Sequence, residues 1–406
     1  MTLKTVDVSL AIPPLPFDME FLPQNTCLVG GSVRDAFLGR KGNYLDLDFV
    51  VPEKSIETAK QIACHYDGGF VILDAEREIA RVVFPHATLD FALQEGDSLE
   101  TDLKRRDFTI NAIAYDVRKQ KIIDPLGGIP DLTRKIIRMV SPDNLKDDPL
   151  RLLRGYRQAA QLEFTIEPET RKTIRSLASL LNRIAAERVQ TELNYLLACS
   201  LGNIWLKSAW EDGLIELWFS QVDQDTIAQL ATVEEKGKFL SETYPGFGDR
   251  CHQWLALAKL ATLVASDLPT AELELERLKY SRSHIRTVLG TIKNLYQLQT
   301  LTDSMSLREQ YFFFLEAKKI FPIIAVKAMA KGIAPSIIIP LIERYLNPND
   351  PVAYPKSLVT GNDLIRELKI KPSPVIGKLL TEIQIAYIEG KITNFQEALQ
   401  FAAKLQ

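Results

Sequence analysis

Between residues 26 and about 125 the apolar positions fall in short runs of period two, interrupted by brief helix-spaced stretches. From about 145 onward they recur every three or four residues. In the first region TCLV reads as a strand, SVRDAFLG as a short helix closed by Gly39, and LDLDFVV as a second strand. SIETAKQIACHY has helical spacing, while FVIL, ARVVF and ATLDFAL read as strands, the last two as an antiparallel pair. Turn residues cluster in SPDNLKDDPL, where the period changes, and no strand is expected beyond it. The pattern predicts an α+β protein, a mixed-sheet head followed by an all-helical remainder. The stretch YFFFLEAKKIFPIIAVKAMAKGIAPSIIIPLI carries a glutamate and four lysines, too many charges to cross a bilayer, and reads as buried helices.

The strand LDLDFVV places Asp46 and Asp48 on one face and Leu45, Leu47 and Phe49 on the other. The two aspartate Cα atoms should lie roughly 6.5 Å apart. Carboxylates so placed can bind two Mg²⁺ ions about 3.5–4 Å apart, the arrangement for in-line phosphoryl transfer. On its own D-x-D reads first as a solvated strand face. The otherwise apolar strand weighs against that, as does the turn Val29-Gly30-Gly31-Ser32 upstream. Glycines let the backbone approach a triphosphate, and the free amides of the following helix start offer an anion site that Arg34 can reinforce. In ATLDFAL, Asp90 lies between apolar residues; it is either a surface aspartate on an edge strand or a third carboxylate in need of a partner such as a metal.

Composition narrows the class. At 46% hydrophobic and 25% charged residues the chain is an ordinary globular protein, and 406 residues call for roughly two to four domains. A net charge of -3 gives no global basic field, so a nucleic-acid partner must be held by local patches. Cys27, Cys64, Cys199 and Cys251 form no C-x-x-C pair, which fits a reducing compartment, the cytoplasm. The opening MTLKTVDVSLAIPPLPFDMEFLP has no apolar signal core.

Two basic stretches follow the strands. KRRDFTINAIAYD (104–116) places Lys104, Arg105 and Arg106 ahead of an expected helix, with Asp107 as N-cap and Phe108, Ala112 and Tyr115 as its buried face. Asn111 on that helix wants polar partners if buried. In DDPLRLLRGYRQAA (147–160), Asp148 followed by Pro149 reads as a helix start. Arg151, Arg154 and Arg157 trace one side, beside Leu150, Leu153 and Tyr156. Both stretches also fit capped helices with solvated charge. Chemically, an aspartate accepts from an exocyclic amine and an arginine donates to a ring acceptor. Cytosine and adenine present that pair of groups; uracil and guanine do not.

Together these stretches resemble the class II tRNA nucleotidyltransferases, the CCA-adding family, with its bacterial poly(A) polymerase relatives. LVGGSVRD with DLD, RRDFTINA, DPLGGIPDL, DDPLRLLR and ERVQTEL occur in the family's order. The resemblance is strong from residue 26 to about 200 and weaker over VTGNDLIRELKIKPSPVIGKLLTEIQIAYIEGKITNFQEAL. It implies a polymerase-beta-type nucleotidyltransferase head over 1–140, a base-recognising neck over 141–200, a helical body over 201–300 and a tRNA-binding tail over 301–406. By the resemblance, Gly30, Gly31 and Arg34 meet the nucleotide phosphates, and Asp46 and Asp48, with Asp90 as third carboxylate, serve catalysis with Mg²⁺. Arg106, Asp107 and Asn111 address triphosphate and ribose. Asp148 and Arg151 read the base edge, with Arg154 and Arg157 nearby. DPLGGIPDL becomes a flexible connector between head and neck. Lys369, Lys371 and Lys378 become phosphate contacts to the tRNA acceptor arm. The implied partners are tRNA, CTP and ATP, with no membrane.

Two departures from the family stand out. Asp147 replaces a common Glu, and only QEGDSLETDLK separates DFAL from RRDF. In the family a longer, flexible segment at this place accompanies the switch from C to A addition, and relatives with it shortened resemble CC-adding enzymes. The resemblance therefore favours CC addition over full CCA addition, and either over A-only or poly(A) addition. A non-catalytic RNA-binding relative would tolerate loss of Asp46 and Asp48, which are intact. A small-molecule nucleotidyltransferase leaves the helical region without a role.

Overall fold

The computed structural model describes residues 14–40, 42, 44–301 and 303–405, the side chains of 248–252 excepted. Most of the opening stretch read as lacking a signal core, residues 1–13, lies outside them, as does the Cys251 side chain. The chain divides into two compact units, Met1–Leu217 and Trp218–Gln406.

The first unit is built on a seven-stranded mixed sheet. Its strands are β1 (Cys27–Val29), β2 (Leu45–Val51), β3 (Gly69–Asp74), β4 (Ile79–Phe84), β5 (Ala87–Leu93), β6 (Ala114–Asp116) and β7 (Lys121–Ile123), in the order β3-β4-β5-β2-β1-β6-β7. The β2–β5 pair is parallel and the other pairs are antiparallel, including the expected β4–β5 pair. Alternation in β2 buries Leu47 and Phe49 and leaves Asp46 and Asp48 on the opposite face. On the buried face Phe49 stacks on Phe91 at 4.9 Å, and Phe17 meets Phe49 edge-on. The register sets Asp48 opposite Val29 on one side and Asp90 on the other.

Helices α1 (Gly31–Phe37), α2 (Ser55–His65), α3 (Leu99–Lys104), α4 (Gly128–Arg134) and α5 (Pro142–Asp147) connect or follow the strands. The long α6 (Leu150–Leu162) comes next, then α7 (Pro168–Leu177), α8 (Ala186–Ala198) and α9 (Gly202–Glu211). Asp212 anchors this helical part. Its buried carboxylate accepts from the Tyr156 hydroxyl on α6 and from the guanidinium groups of Arg171 and Arg175 on α7.

Three local expectations fail. The segment expected as a helix after Asp107 is a single 3-10 turn, Thr109–Asn111, followed by strand β6. Its apolar residues are buried as expected, but Phe108 bridges to Met139 and Thr109 N–H donates to Arg138 O, contacts that draw the backbone out of a helix. A two-residue strand, β9 (Thr165–Ile166), which pairs in parallel with β8 (Ile136–Ile137), lies where only helices were expected. The connector DPLGGIPDL is a fixed helix start rather than a flexible link. The Asp124 carboxylate accepts from Gly128 and Ile129 N–H at 2.7 and 2.9 Å, and a Cβ on Gly128 would fall 2.3 Å from Thr109 O.

The second unit is helical among its described residues. The apolar stretch excluded as a bilayer span forms Leu307–Ala317, Phe321–Ala330 and Pro335–Leu346, whose Phe313, Phe314, Phe321 and Ile324 are buried with Trp254 and Leu341. No helix among the described residues is long and apolar enough to cross a membrane. A separate cluster around Val359, Leu364, Leu379 and Ile383 holds together the helices Gly361–Leu368, Pro374–Ile388 and Phe395–Lys404.

Candidate active site

A cleft of about 840 Å³ lies within the first unit, lined by the glycine turn, the carboxylate face of β2, the turn after α3, and helices α5, α6 and α8. Gly30 ends β1 at φ +75°, a conformation other residues rarely adopt. A Cβ there would stand 3.1 Å from Asp48 Oδ2 and 3.4 Å from Arg106 Nη1. The glycine thus lets the turn close onto the second carboxylate of D-x-D. α1 begins at Gly31. One turn in, Arg34 Nη1 donates to Asn111 Oδ1 at 2.8 Å, and its Nε and Nη2 are held by Asp35.

Asp46 and Asp48 both line the cleft. Burial pushes the Asp48 carboxyl up to about 6; Arg106 pulls against this, while Asp46 and Asp90 add to it. Burial raises Asp46 as well, reinforced by Asp90 and opposed by Arg81. Asp90 sits beside Asp48 in register but outside the cleft wall, and both its oxygens accept from Arg81 at 2.7 Å. Among the described residues, no three histidine, cysteine or acidic side chains are placed to hold one metal ion.

The basic run 104–106 is divided. Lys104 pairs with Glu100 outside the cleft wall, whereas Arg105, paired with Glu95, and Arg106, 3.3 Å from Asp102, both line the cleft. Asp107 is buried and caps no long helix. Its Oδ1 accepts from Phe108 N–H and Asn111 Nδ2 at 2.7 and 2.9 Å, and Arg154 lies 3.5 Å from Oδ2. Burial alone would raise this carboxyl, but Arg154, the Asn111 amide and the Phe108 N–H together hold it below the ordinary carboxylate range. The second proton of Asn111 Nδ2 goes to Gln158 Oε1 at 3.0 Å, so the amide joins α1, the 3-10 turn and α6 with every donor used.

The expected Asp148 cap is not formed. Pro149 takes the cap position, and no side chain caps α6. The Asp148 carboxylate is therefore free of the helix end: Oδ2 accepts from Arg188 at 2.9 Å, and Oδ1 is buried without a partner. Arg151, Arg154 and Arg157 line the cleft from one side of α6, while Leu150, Leu153 and Tyr156 are buried. Arg151 Nη1 donates to the carbonyls of Arg105 and Asn144 at 2.8 and 3.0 Å, and Glu192 takes Arg157.

Twelve of the residues singled out from the sequence thus meet at one cleft. Lys369, Lys371 and Lys378 lie in the second unit, exposed around the connection from Leu368 to Pro374 and on the helix after it. Asp102, Gln158, Arg188 and Glu192 also belong to the cleft or its support and were not singled out. Arg188 and Glu192 lie within ERVQTEL, so their signal was present without an assigned task.

A mixed sheet that sets D-x-D against a glycine turn, with an arginine-lined helix facing it, defines an enzyme that handles nucleoside triphosphates. Comparison with known proteins gives the family. Residues 26–138 match the poly(A) polymerase head domain, 163–226 a probable RNA- and SrmB-binding site of polymerase A, and 250–403 a putative domain 2 of tRNA nucleotidyltransferases. The chain is 51% identical over 401 residues to a CC-adding tRNA nucleotidyltransferase of Synechocystis sp., covering 96% of each chain. It is 31% identical to a CCA-adding enzyme of Streptococcus pneumoniae, covering 91% of each. Its fold is similar to that of the Thermotoga maritima CCA-adding enzyme complexed with tRNA, with a TM-score of 0.71, 23% identity and coverage of 94% of this chain and 91% of that one. The chain belongs to the tRNA nucleotidyltransferase and poly(A) polymerase family.

Proposed function

We propose that the protein is a cytoplasmic, Mg²⁺-dependent, CC-adding tRNA nucleotidyltransferase, which extends a tRNA 3′ end with CTP and releases pyrophosphate. The observation that carries the CC-adding subtype is the state of residues 94–104. Ser98 caps α3 through Thr101 N–H, Asp102 Oδ1 accepts from Glu95 N–H, Arg105 pairs with Glu95, and Leu103 is buried. Only the eleven residues QEGDSLETDLK separate the end of β5 from Arg105, and with α3 formed among them the segment is too short to reach α6 and rearrange the base pocket between C and A. The 51% identity to a CC-adding enzyme, against 31% to a CCA-adding one, supports the same subtype.

The donor set suits Mg²⁺. Asp46 and Asp48 offer only hard carboxylate oxygens, and this cation binds through one or two carboxylates plus substrate phosphates. When bound, it would supply charge neutralisation at the α-phosphorus and a lowered pKa for the attacking 3′-hydroxyl. The chain's own residues do the rest. The Gly30–Gly31 turn and Arg34 receive the triphosphate, and Arg106 and Asp107 position the phosphates and ribose. Asp148 and Arg151 accept from the exocyclic amine and donate to the ring acceptor of cytosine, with Arg154 and Arg157 beside them. The Arg81 pairing supports Asp90 as a structural anion that shapes the field at Asp48. We assign residues 1–140 to the catalytic head, 141–200 to the base-reading neck, 201–300 to the body and 301–406 to the tRNA-binding tail. Lys369, Lys371 and Lys378 contact RNA phosphates.

Incubation of tRNA lacking CCA with CTP and ATP, read at nucleotide resolution, should give a product stopping after two C residues. Completion to CCA would overturn the subtype. Addition of A alone to tRNA ending in CC would make the chain the A-adding partner instead.

A further inference from the structure

ERVQTEL has no part in the nucleotide chemistry described so far, yet it supplies two charged residues to the base-reading helix. Arg188 and Glu192 stand four residues apart on α8 and so share a face. Glu192 takes Arg157, with Arg154 at 3.9 Å, and Arg188 Nη2 donates to Asp148 Oδ2 at 2.9 Å. Asp148 gains nothing from its own helix end, and its Oδ1 is shut away without a partner. Among the described residues, Arg188 is the hydrogen-bond partner of this side chain. Rotation about the last carboxylate bond is otherwise broad, so this one contact sets which way the oxygens face. An ionised carboxylate oxygen accepts two hydrogen bonds, and Oδ2 therefore keeps a second acceptor position.

We propose that Arg188 is a specificity-determining positioning residue. It fixes Asp148 so that the remaining acceptor position of Oδ2 takes the exocyclic amine of cytosine or adenine and repels the carbonyl of uracil. This role rests on the base-reading function proposed above. Arg188 acts through Asp148 and not on the triphosphate, so its loss should leave the Asp46–Asp48 chemistry intact. Lysine at this position keeps a donor but not the planar fork, and should recover part of the effect.

The test compares the native chain with Arg188→Ala, Arg188→Lys, Asp148→Ala and the Arg188→Ala/Asp148→Ala double variant. Single-nucleotide incorporation into tRNA lacking CCA gives kcat and KM for CTP and UTP, and equilibrium binding of CTP and UTP is measured without tRNA. Arg188→Ala should lower the CTP-over-UTP preference by roughly tenfold, mainly through KM for CTP, with Arg188→Lys in between. In the Asp148→Ala background, removing Arg188 should change nothing further. An unchanged preference in Arg188→Ala, or an equal loss in both backgrounds, overturns the positioning role. So does a rise in CTP affinity, which would make Arg188 a competitor for the carboxylate. A native chain that binds CTP over UTP but adds no nucleotide to tRNA overturns the transferase reading, and the binding arm still decides the role of Arg188.

Discussion

The carboxylate of Asp48 closes the space in front of Gly30. A Cβ on Gly30 would meet Asp48 Oδ2 at 3.1 Å and Arg106 Nη1 at 3.4 Å, and the backbone there stands at φ +75°. Gly30→Ala should therefore strain the turn by about 1–3 kcal/mol and push Asp48 out of line. A displacement of about 1 Å at a reacting centre is enough to cost on the order of 100-fold in rate. At Gly31 a Cβ would meet only the flexible Arg34 Nη2 at 3.5 Å, so Gly31→Ala should cost far less. Parallel thermal melts and nucleotide incorporation by the two variants check the contrast. Equal activity in both would remove the close-approach role of Gly30.

Asp48 ties activity and stability to pH in opposite directions. Its carboxyl lies at about 6, above its unfolded value of 3.8, so the native state holds the proton more tightly. The stability this group confers is fully present below about 4 and is lost as pH rises through 6, on the order of 3 kcal/mol. Asp48→Asn should flatten that part of the stability profile in urea titrations. Activity needs the ionised form, so kcat/KM should climb with pH and level off above about 6, since this ratio reports the free enzyme. Raising Mg²⁺ should move that limb to lower pH. Asp46→Ala and Asp48→Ala should each abolish incorporation while tRNA binding persists; near-native turnover by either variant would rule out the carboxylate pair as the metal site.

Asn111 joins three elements with one amide. Replacing it with Ala removes the bonds to Arg34, Asp107 and Gln158 together and leaves the buried Asp107 with a single N–H donor to Oδ1. The expected loss is about 2–4 kcal/mol. Nucleotide affinity should fall as well, because Arg34 loses its anchor. A change below about 0.5 kcal/mol in chemical denaturation would show that water replaces the amide at no cost.

The carboxylate strand was legible because period-two alternation is a local property: Asp46 and Asp48 cannot share a face with Leu47 and Phe49 in any strand. The arginine side of α6 was legible for the same reason. RRDFTINA was misread because Phe108, Ala112 and Tyr115 have helical spacing, while the forces that win are distant. Phe108 bridges to Met139, and Ala114–Asp116 is claimed by β1, a strand too short to display its own period. Asp148-Pro149 likewise looks like a helix cap in isolation. The carboxylate goes instead to Arg188, forty residues on, a pairing no local pattern encodes. Local periodicity therefore fixed which residues face the cleft, and long-range pairing fixed what each one holds.

The stop after two C residues should be a matter of length, and the structure separates length from rigidity. Residues 94–104 are closed by the Ser98 cap, the Glu95–Arg105 pair and the Asp102 contact to Glu95 N–H, and Asp102 also holds Arg106 at the cleft. Ser98→Gly with Glu95→Ala would loosen the segment without lengthening it; losing such a cap costs only about 1 kcal/mol. Faster amide exchange across α3 with products still ending in CC is the expected result. Grafting a longer family segment between Leu93 and Lys104 should instead confer some A addition, because only added residues let the segment reach α6 while Asp107 stays in place. If the loosened variant alone completes CCA, rigidity and not reach set the limit. If the graft adds no A while keeping normal C addition, the barrier to A lies in the base pocket around Asp148 and Arg151.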